Sequence, residues 1–312
     1  MKKIASIDIG SNTVRLLILE YDENQKFQTL ASRRVITRLG EGMDVHGRLI
    51  ESRISATISA LSTFRNDCRK NGNPPLHAVA TSAVREASNG KEFIDLAREE
   101  TGIEIEIISW EDEARLTLQG VFWKLPHANR KTLTFDIGGG STEFILSEGK
   151  NIVNFCSSSL GVVRLTEKFI HQHPVNNNEY ENLTTHLSRE LKAIKKKLSD
   201  FIPQVLIGTA GTITTLAALI RNIYPYNPEK IHGTLLTRQE IEILFQDLKI
   251  KSLNERLDLK PLERGREDLI IAGTAIVLKT MKTFKCETLL VSEYSLREGI
   301  TLKGLENKAY RD

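Results

Sequence analysis

Two short runs hold residues whose types and spacing could handle a phosphate chain: DIGSNTVR from Asp8 and DIGGGSTE from Asp136, 128 residues apart. In each, an aspartate closes an apolar run and a glycine-containing turn follows. Glycine tolerates positive φ, so the N–H groups of Gly10, Ser11, Asn12 and Thr13 are expected to converge on an anion, as are those of Gly138, Gly139, Gly140, Ser141 and Thr142. Two such turns facing each other could grip a phosphate chain from opposite sides. Asp8 and Asp136 would then stand beside phosphate oxygens, where a bare carboxylate repels them. A hard divalent cation, Mg²⁺ first and Mn²⁺ as an alternative, relieves that conflict. Glu143, two residues past Ser141, could join its shell. One glycine-rich turn is as readily an ordinary tight hairpin. Two copies opening two similar stretches argue for a ligand.

Other charged residues are ambiguous on their own. In WEDEARL, Glu111, Asp112 and Glu113 read as an acidic helix start favoured by the macrodipole. A carboxylate able to orient water and take its proton would look the same. Arg85, in TSAVREA, follows a strand and could make bidentate contacts with phosphate, or simply form a surface ion pair. Arg15 alternates with apolar neighbours, so an inward-facing charge there needs an anionic partner. In GTAGT, Gly208 and Gly211 precede a helix and suit either phosphate binding or close helix–strand packing. The seven histidines show no ligand spacing, and Cys68, Cys156 and Cys286 form no CxxC pair.

Positioning these groups needs strands that end at the aspartates. KKIASIDIG, VRLLILEY and KFQTLASRRVITRL read as a three-strand meander, and residues 51–70 as an amphipathic helix through Ile54, Ile58, Leu61, Phe64 and Cys68. LHAVATSAVREA is a strand running into a helix, KEFIDLAREE a helix, IEIEIIS a strand and WEDEARLTLQGVFWKL a helix. Pro126 and HANRK suggest a domain junction. From Lys131 the pattern repeats: a glycine-broken pair of strands, KNIVNFCSSS as a third, helices near 161–171 and 178–199, the strand QVLIGT and a helix from about Thr212. IYPYNPEKIHG is expected to be a loop, ETLLVSE a strand and SLREGITLKGL a closing helix. One α/β topology therefore occurs twice in 312 residues, a length that suits two domains. A net charge of +3 does not suggest nucleic-acid binding. The start MKKIASIDIG reaches Asp8 too soon for a signal peptide, and no apolar run approaches the roughly 18 residues that span a bilayer. With no cysteine framework, a cytoplasmic location without membrane partners is expected.

The pairing of DIGSNTVR with DIGGGSTE resembles the actin/Hsp70/sugar-kinase superfamily, and more specifically the exopolyphosphatase and guanosine-pentaphosphate phosphatase (Ppx/GppA) family. ATSAVREA, EIISWEDEARLTLQGV, SLGVVRLTE, IGTAGTITTLAAL, RGREDLIIAG and SEYSLREGI extend the resemblance over almost the whole chain. It implies two actin-like (ribonuclease H-like) domains around a cleft, residues 1–124 with 299–312 and residues 125–298, and no HD-type domain after them. It also implies metal-dependent hydrolysis of phosphoanhydrides, with inorganic polyphosphate, guanosine pentaphosphate and guanosine tetraphosphate as ligands; a homodimer stays open. Carried onto this chain, the resemblance makes Glu113 the general base, puts Arg85 on the substrate, and associates Arg15 and Arg266 with holding it. Relatives often carry glycine where Trp110 stands, so the indole is expected to narrow the water site. An ATP-using kinase on the same fold and a non-hydrolysing guanosine tetraphosphate sensor remain the competing readings.

Overall fold

The structure, a computed structural model, describes residues 1–24, 26–125, 130–199 and 202–309. In chain order the elements are β1 (Lys2–Ile9), β2 (Thr13–Tyr21), β3 (Phe27–Ile36), α1 (Met43–His46), α2 (Glu51–Lys70), β4 (Leu76–Ala80), α3 (Ser82–Glu86), α4 (Gly90–Thr101), β5 (Ile105–Ile107) and α5 (Trp110–Val121). They continue with β6 (Lys131–Ile137), β7 (Thr142–Glu148), β8 (Asn151–Ser158), α6 (Val162–Phe169), α7 (Asn177–Lys197), β9 (Val205–Thr209), α8 (Ala210–Ile220) and α9 (Pro228–Ile231). The last are β10 (Leu235–Thr237), α10 (Arg238–Ile250), α11 (Leu253–Leu257), α12 (Leu269–Phe284), β11 (Thr288–Val291) and α13 (Leu296–Ala309). The chain divides into two compact units: unit 1 is Met1–Trp123 with the segment from Ser295, and unit 2 is Lys124–Tyr294.

Each unit is built on the same sheet. In unit 1 the order is β3-β2-β1-β4-β5; in unit 2 it is β8-β7-β6-β9-β11, with β10 added at the far edge. The first three strands of each form an antiparallel meander, and the crossover strands then run parallel to the first. Central strands read as continuous apolar runs because helices cover both faces of such a sheet. Ile4, Ile7, Ile9, Val14, Leu16 and Ile18 are all buried in unit 1. In unit 2 the rings of Phe135, Phe144 and Phe284 stack in the core, each burial contributing roughly 2–3 kcal/mol.

Helix α8, expected from about Thr212, begins at Ala210, and two other local features differ from the expected course. The loop expected over IYPYNPEKIHG contains the helical turn α9, capped by the Asn227 side chain with Pro228 at its start. Strand β10 was not anticipated: three residues with Leu235 exposed carry no readable period. Pro126 and residues 127–129, the expected junction, lie outside the described residues.

One helix contact in unit 1 bears directly on the site. Helix α13 lies on α5 so closely that a Cβ at Gly299 would stand 1.9 Å from the Leu116 carbonyl oxygen, and one at Gly120 1.9 Å from that of Ser295. Two glycines on facing helices thus let the backbones touch.

Candidate functional site

The turns after Asp8 and Asp136 are built alike. The N–H of Gly10 donates to the Thr13 carbonyl at 3.1 Å, and that of Gly138 to the Ser141 carbonyl at 2.9 Å. Carbonyls inside each turn are tied down by the segment after the third strand. In unit 1 the Ser11 carbonyl accepts from Gly40 N–H at 2.7 Å, and the Asn12 carbonyl from Thr37 and Arg38 N–H, each at 3.0 Å. In unit 2 the Gly138 and Gly139 carbonyls accept from Val162 N–H at 3.0 Å and Val163 N–H at 2.9 Å, at the start of α6. A trans peptide points its N–H opposite to its C=O. The N–H groups of Asn12 and Thr13, and of Gly139 and Gly140, are therefore turned away from these anchors.

The reason for the glycines differs from the expected one. None of Gly10, Gly138, Gly139 or Gly140 has positive φ. A Cβ at Gly10 or Gly138 would instead come within 3.2 or 3.1 Å of the oxygen that its own N–H binds. The close approach is made by glycines that the sequence reading passed over. A Cβ at Gly161 would lie 2.2 Å from the Gly139 oxygen, and one at Gly40 2.8 Å from the Ser11 Cβ. Both glycines follow a buried leucine, Leu39 or Leu160, so a Leu-Gly pair after the third strand recurs in the two halves and could have been found.

Register fixes what faces each aspartate. Asp8 pairs with Arg15 across β1 and β2, and Asp136 with Glu143 across β6 and β7. The anionic partner required by Arg15 is thus Asp8, which accepts from Arg15 Nη2 at 2.6 Å and Nε at 3.0 Å. Ser295 Oγ accepts from Arg15 Nη2 at 3.2 Å, and Glu298 holds the Ser295 N–H at 3.0 Å. Asp8, expected beside a cation, has a guanidinium as its counter-charge. At the equivalent positions of unit 2 stand two carboxylates, buried to 9% and 4% exposure, with Glu143 Oε1 accepting from Ser157 Oγ at 3.0 Å. Two adjacent buried oxygen donors suit a hard cation. Among the described residues, no three His, Cys, Asp or Glu side chains are grouped to hold a metal.

The acidic start of α5 sorts its three carboxylates. Glu111 is exposed. Asp112 N–H donates to the capping hydroxyl of Ser109, and that hydroxyl in turn holds the Asp112 carboxyl below its usual range. Glu113 alone is buried, and its Oε2 stands 2.9 Å from Arg85 Nη2. Arg85 is fixed three ways: Nη1 donates to the Ile108 carbonyl at 2.7 Å, Nη2 faces Glu113, and the guanidinium carbon lies 3.4 Å from the Trp110 ring centroid. Trp110, expected to crowd the water site, thus packs on the arginine. Arg85 Nε is buried and finds no hydrogen-bond acceptor among the described residues.

In unit 2 the glycines of GTAGT serve packing. A Cβ at Gly208 would meet the Ile213 side chain at 2.8 Å, and one at Gly211 the Arg266 guanidinium at 2.3 Å. Arg266 is buried, with its Nε donating to Glu263 at 2.7 Å, so Gly211 and Arg266 are brought together. The backbone outlier of this loop is Ala210, with φ of 71°.

Known proteins share this construction. A family profile described as the Ppx/GppA phosphatase family matches residues 17–308. The bifunctional 3-dehydroquinate synthase/phosphatase of Fusobacterium nucleatum is 36% identical across 97% of the chain, which spans 47% of that longer protein. Exopolyphosphatase 2 of Mycobacterium tuberculosis is 28% identical over 97% of the chain and 98% of its own length. Among solved structures, the Ppx/GppA family member of Aquifex aeolicus superposes with a TM-score of 0.83 at 35% identity, covering 98% of each chain. An exopolyphosphatase from Cytophaga hutchinsonii reaches 0.91 at 28% identity, also over 98% of each. The α/β class and the twice-used actin-like sheet agree with these relatives, and with a match running from β2 into α13 the chain belongs to the Ppx/GppA phosphatase family.

Proposed function

We propose that this protein hydrolyses the terminal anhydride of inorganic polyphosphate and releases orthophosphate, with guanosine pentaphosphate as a second substrate presenting the same bond. One observation carries the reading: a guanidinium whose Nε–H is buried without an acceptor, beside the buried carboxylate of Glu113. Nε and Nη2 form the side of the guanidinium that takes two oxygens of a phosphate in parallel. An exopolyphosphatase that resembles the chain over its full length supports the choice of substrate.

In this mechanism Glu113 orients the attacking water and accepts its proton, while Arg85 takes two oxygens of the phosphoryl group being transferred. Each unit also offers out-turned N–H donors for phosphate oxygens, at Asn12 and Thr13 in one and at Gly139 and Gly140 in the other. Asp136 and Glu143 are the residues that would hold Mg²⁺, which supplies charge neutralisation at the phosphates. Most of the rate gain then comes from alignment and charge stabilisation, because phosphoryl transfer leaves little covalent work to a protein.

The test is phosphate release from polyphosphates of several lengths, guanosine pentaphosphate and ATP, side by side with Mg²⁺. Glu113→Gln is expected to lower kcat about 10²–10⁴-fold while leaving substrate affinity nearly unchanged. Wild-type turnover in that variant would remove Glu113 from its role. Transfer of phosphate from ATP to an acceptor would replace the hydrolase by a kinase. Tight guanosine tetraphosphate binding with no release from any substrate would replace it by a sensor.

A further inference from the structure

We propose that Trp110 is a positioning residue for Arg85: its indole fixes the guanidinium plane, so an arriving phosphate displaces the Glu113 carboxylate and not the arginine. This inference rests on the hydrolase reading above. Arg85 is anchored on two sides that no substrate needs. The Ile108 carbonyl holds Nη1 at 2.7 Å, and the Trp110 ring covers the guanidinium face at 3.4 Å. The third contact, Nη2 to Glu113 Oε2 at 2.9 Å, is an ion pair without the alignment of a hydrogen bond. It is the weakest-made of the three and occupies half of the side that a phosphate would take.

A phosphate at that side completes Nε, which has no acceptor, and takes over Nη2. Glu113 is then released from its ion pair as the substrate arrives, and its carboxylate can turn to water. Without the indole, the five-residue helix α3 and one carbonyl hold the guanidinium, and its plane can tilt with the incoming anion. The chain has two tryptophans, and Trp123 packs edge-on against Phe27. Emission from Trp110 can therefore be isolated in Trp123→Phe.

Inorganic tripolyphosphate is titrated into W123F, with and without Mg²⁺, and emission is followed beside phosphate release. A saturable change in emission is expected, lost when Arg85→Ala is added. In calorimetric titration, Trp110→Ala is expected to bind tripolyphosphate about 3- to 30-fold more weakly, the range of a guanidinium–aromatic stack, and Trp110→Phe to recover most of that loss. A purely structural role would lower the melting temperature without this ring-dependent recovery. Wild-type tripolyphosphate affinity in Trp110→Ala overturns the proposal, as does a loss that Trp110→Phe does not recover. If the wild type releases no phosphate yet tripolyphosphate still changes Trp110 emission, the hydrolase reading fails and the anion clamp stands. If release is normal in both wild type and Trp110→Ala, the clamp alone fails.

Discussion

Replacing Gly299 by alanine tests how Glu113 is held. Gly299 lies inside α13, where alanine would ordinarily add about 1 kcal/mol of helix stability over glycine. Here the new methyl would stand 1.9 Å from the Leu116 oxygen, 2.6 Å from its carbonyl carbon and 3.0 Å from its Cα. All three are backbone atoms of α5, so no rotamer can absorb the clash. Since ordinary contact begins at 3.4 Å, the helices must part locally by about 1.5 Å (3.4 less 1.9). Overpacking of this kind costs about 3 kcal/mol or more, which outweighs the propensity gain and leaves roughly 2 kcal/mol of net destabilisation. For a unit of this size that is a fall of about 4–8 °C in melting temperature. Turnover should fall as well, because α5 carries Glu113 and a shift of about 1 Å at a catalytic group can cost 10²-fold. Thermal melting followed by circular dichroism, with phosphate release measured well below the transition, provides both readouts. A G299A protein melting at or above the wild type would mean that propensity wins, and the backbone contact between α5 and α13 would not be what locates Glu113.

Gly161→Ala tests the tie between turn and helix in unit 2. Gly161 has φ of −89°, which alanine adopts freely, so only the 2.2 Å approach to Gly139 is at stake. Two carbonyl anchors are lost, and polyphosphate affinity is expected to fall about tenfold or more in a calorimetric titration; unchanged affinity would refute the cradle. Asp136→Asn is expected to raise the Mg²⁺ needed for half-maximal activity by roughly tenfold or more, and an identical Mg²⁺ titration would deny it a place at the cation. Away from the site, hydrogen bonding by Arg221, then by the Thr237 cap, holds the Glu240 carboxyl down to about 2 from 4.5. A depressed carboxyl stabilises the fold above its unfolded pKa, and that share is lost as pH falls from about 4.5 towards 2. With a third of the Glu240 side chain exposed, screening leaves about 1 kcal/mol. Denaturant unfolding should therefore show Glu240→Gln weaker than wild type at pH 7 and level with it near pH 2; a gap independent of pH would exclude the linkage.

The sequence made the central strands legible because they are buried on both faces and read as largely apolar runs, and the long helices because their stripes are regular. What it could not convey was which of several like residues faces inward. Glu111, Asp112 and Glu113 are equivalent in composition; the Ser109 cap takes Asp112, and only the turn of the helix sends Glu113 to Arg85. The glycines were read for backbone freedom, yet those at the turns have ordinary φ, and the positive value falls on Ala210. Close approach is a property of two distant segments: Gly161 is marked only by the Leu-Gly pair that recurs in the two halves, and Gly299 carries no local mark. The partner of Arg15 was closer to hand: once a hairpin is drawn about Gly10–Asn12, Asp8 is the residue opposite.

That hairpin register also explains how one fold, used twice, can supply two kinds of chemistry. Seven residues after its aspartate, unit 1 has Arg15 and unit 2 has Glu143, at matched places in matched sheets. The Asp8–Arg15 pair neutralises itself and leans on Ser295, so it braces the turn and keeps the start of α13 in place. Asp136 and Glu143 instead set two carboxyl groups opposite one another in a buried setting. One register position thus separates an ion-paired clasp in unit 1 from two neighbouring buried carboxyl groups in unit 2. On the function proposed above, the demand for Mg²⁺ would fall to unit 2, while in unit 1 Arg85 would meet the phosphate and Glu113 the water.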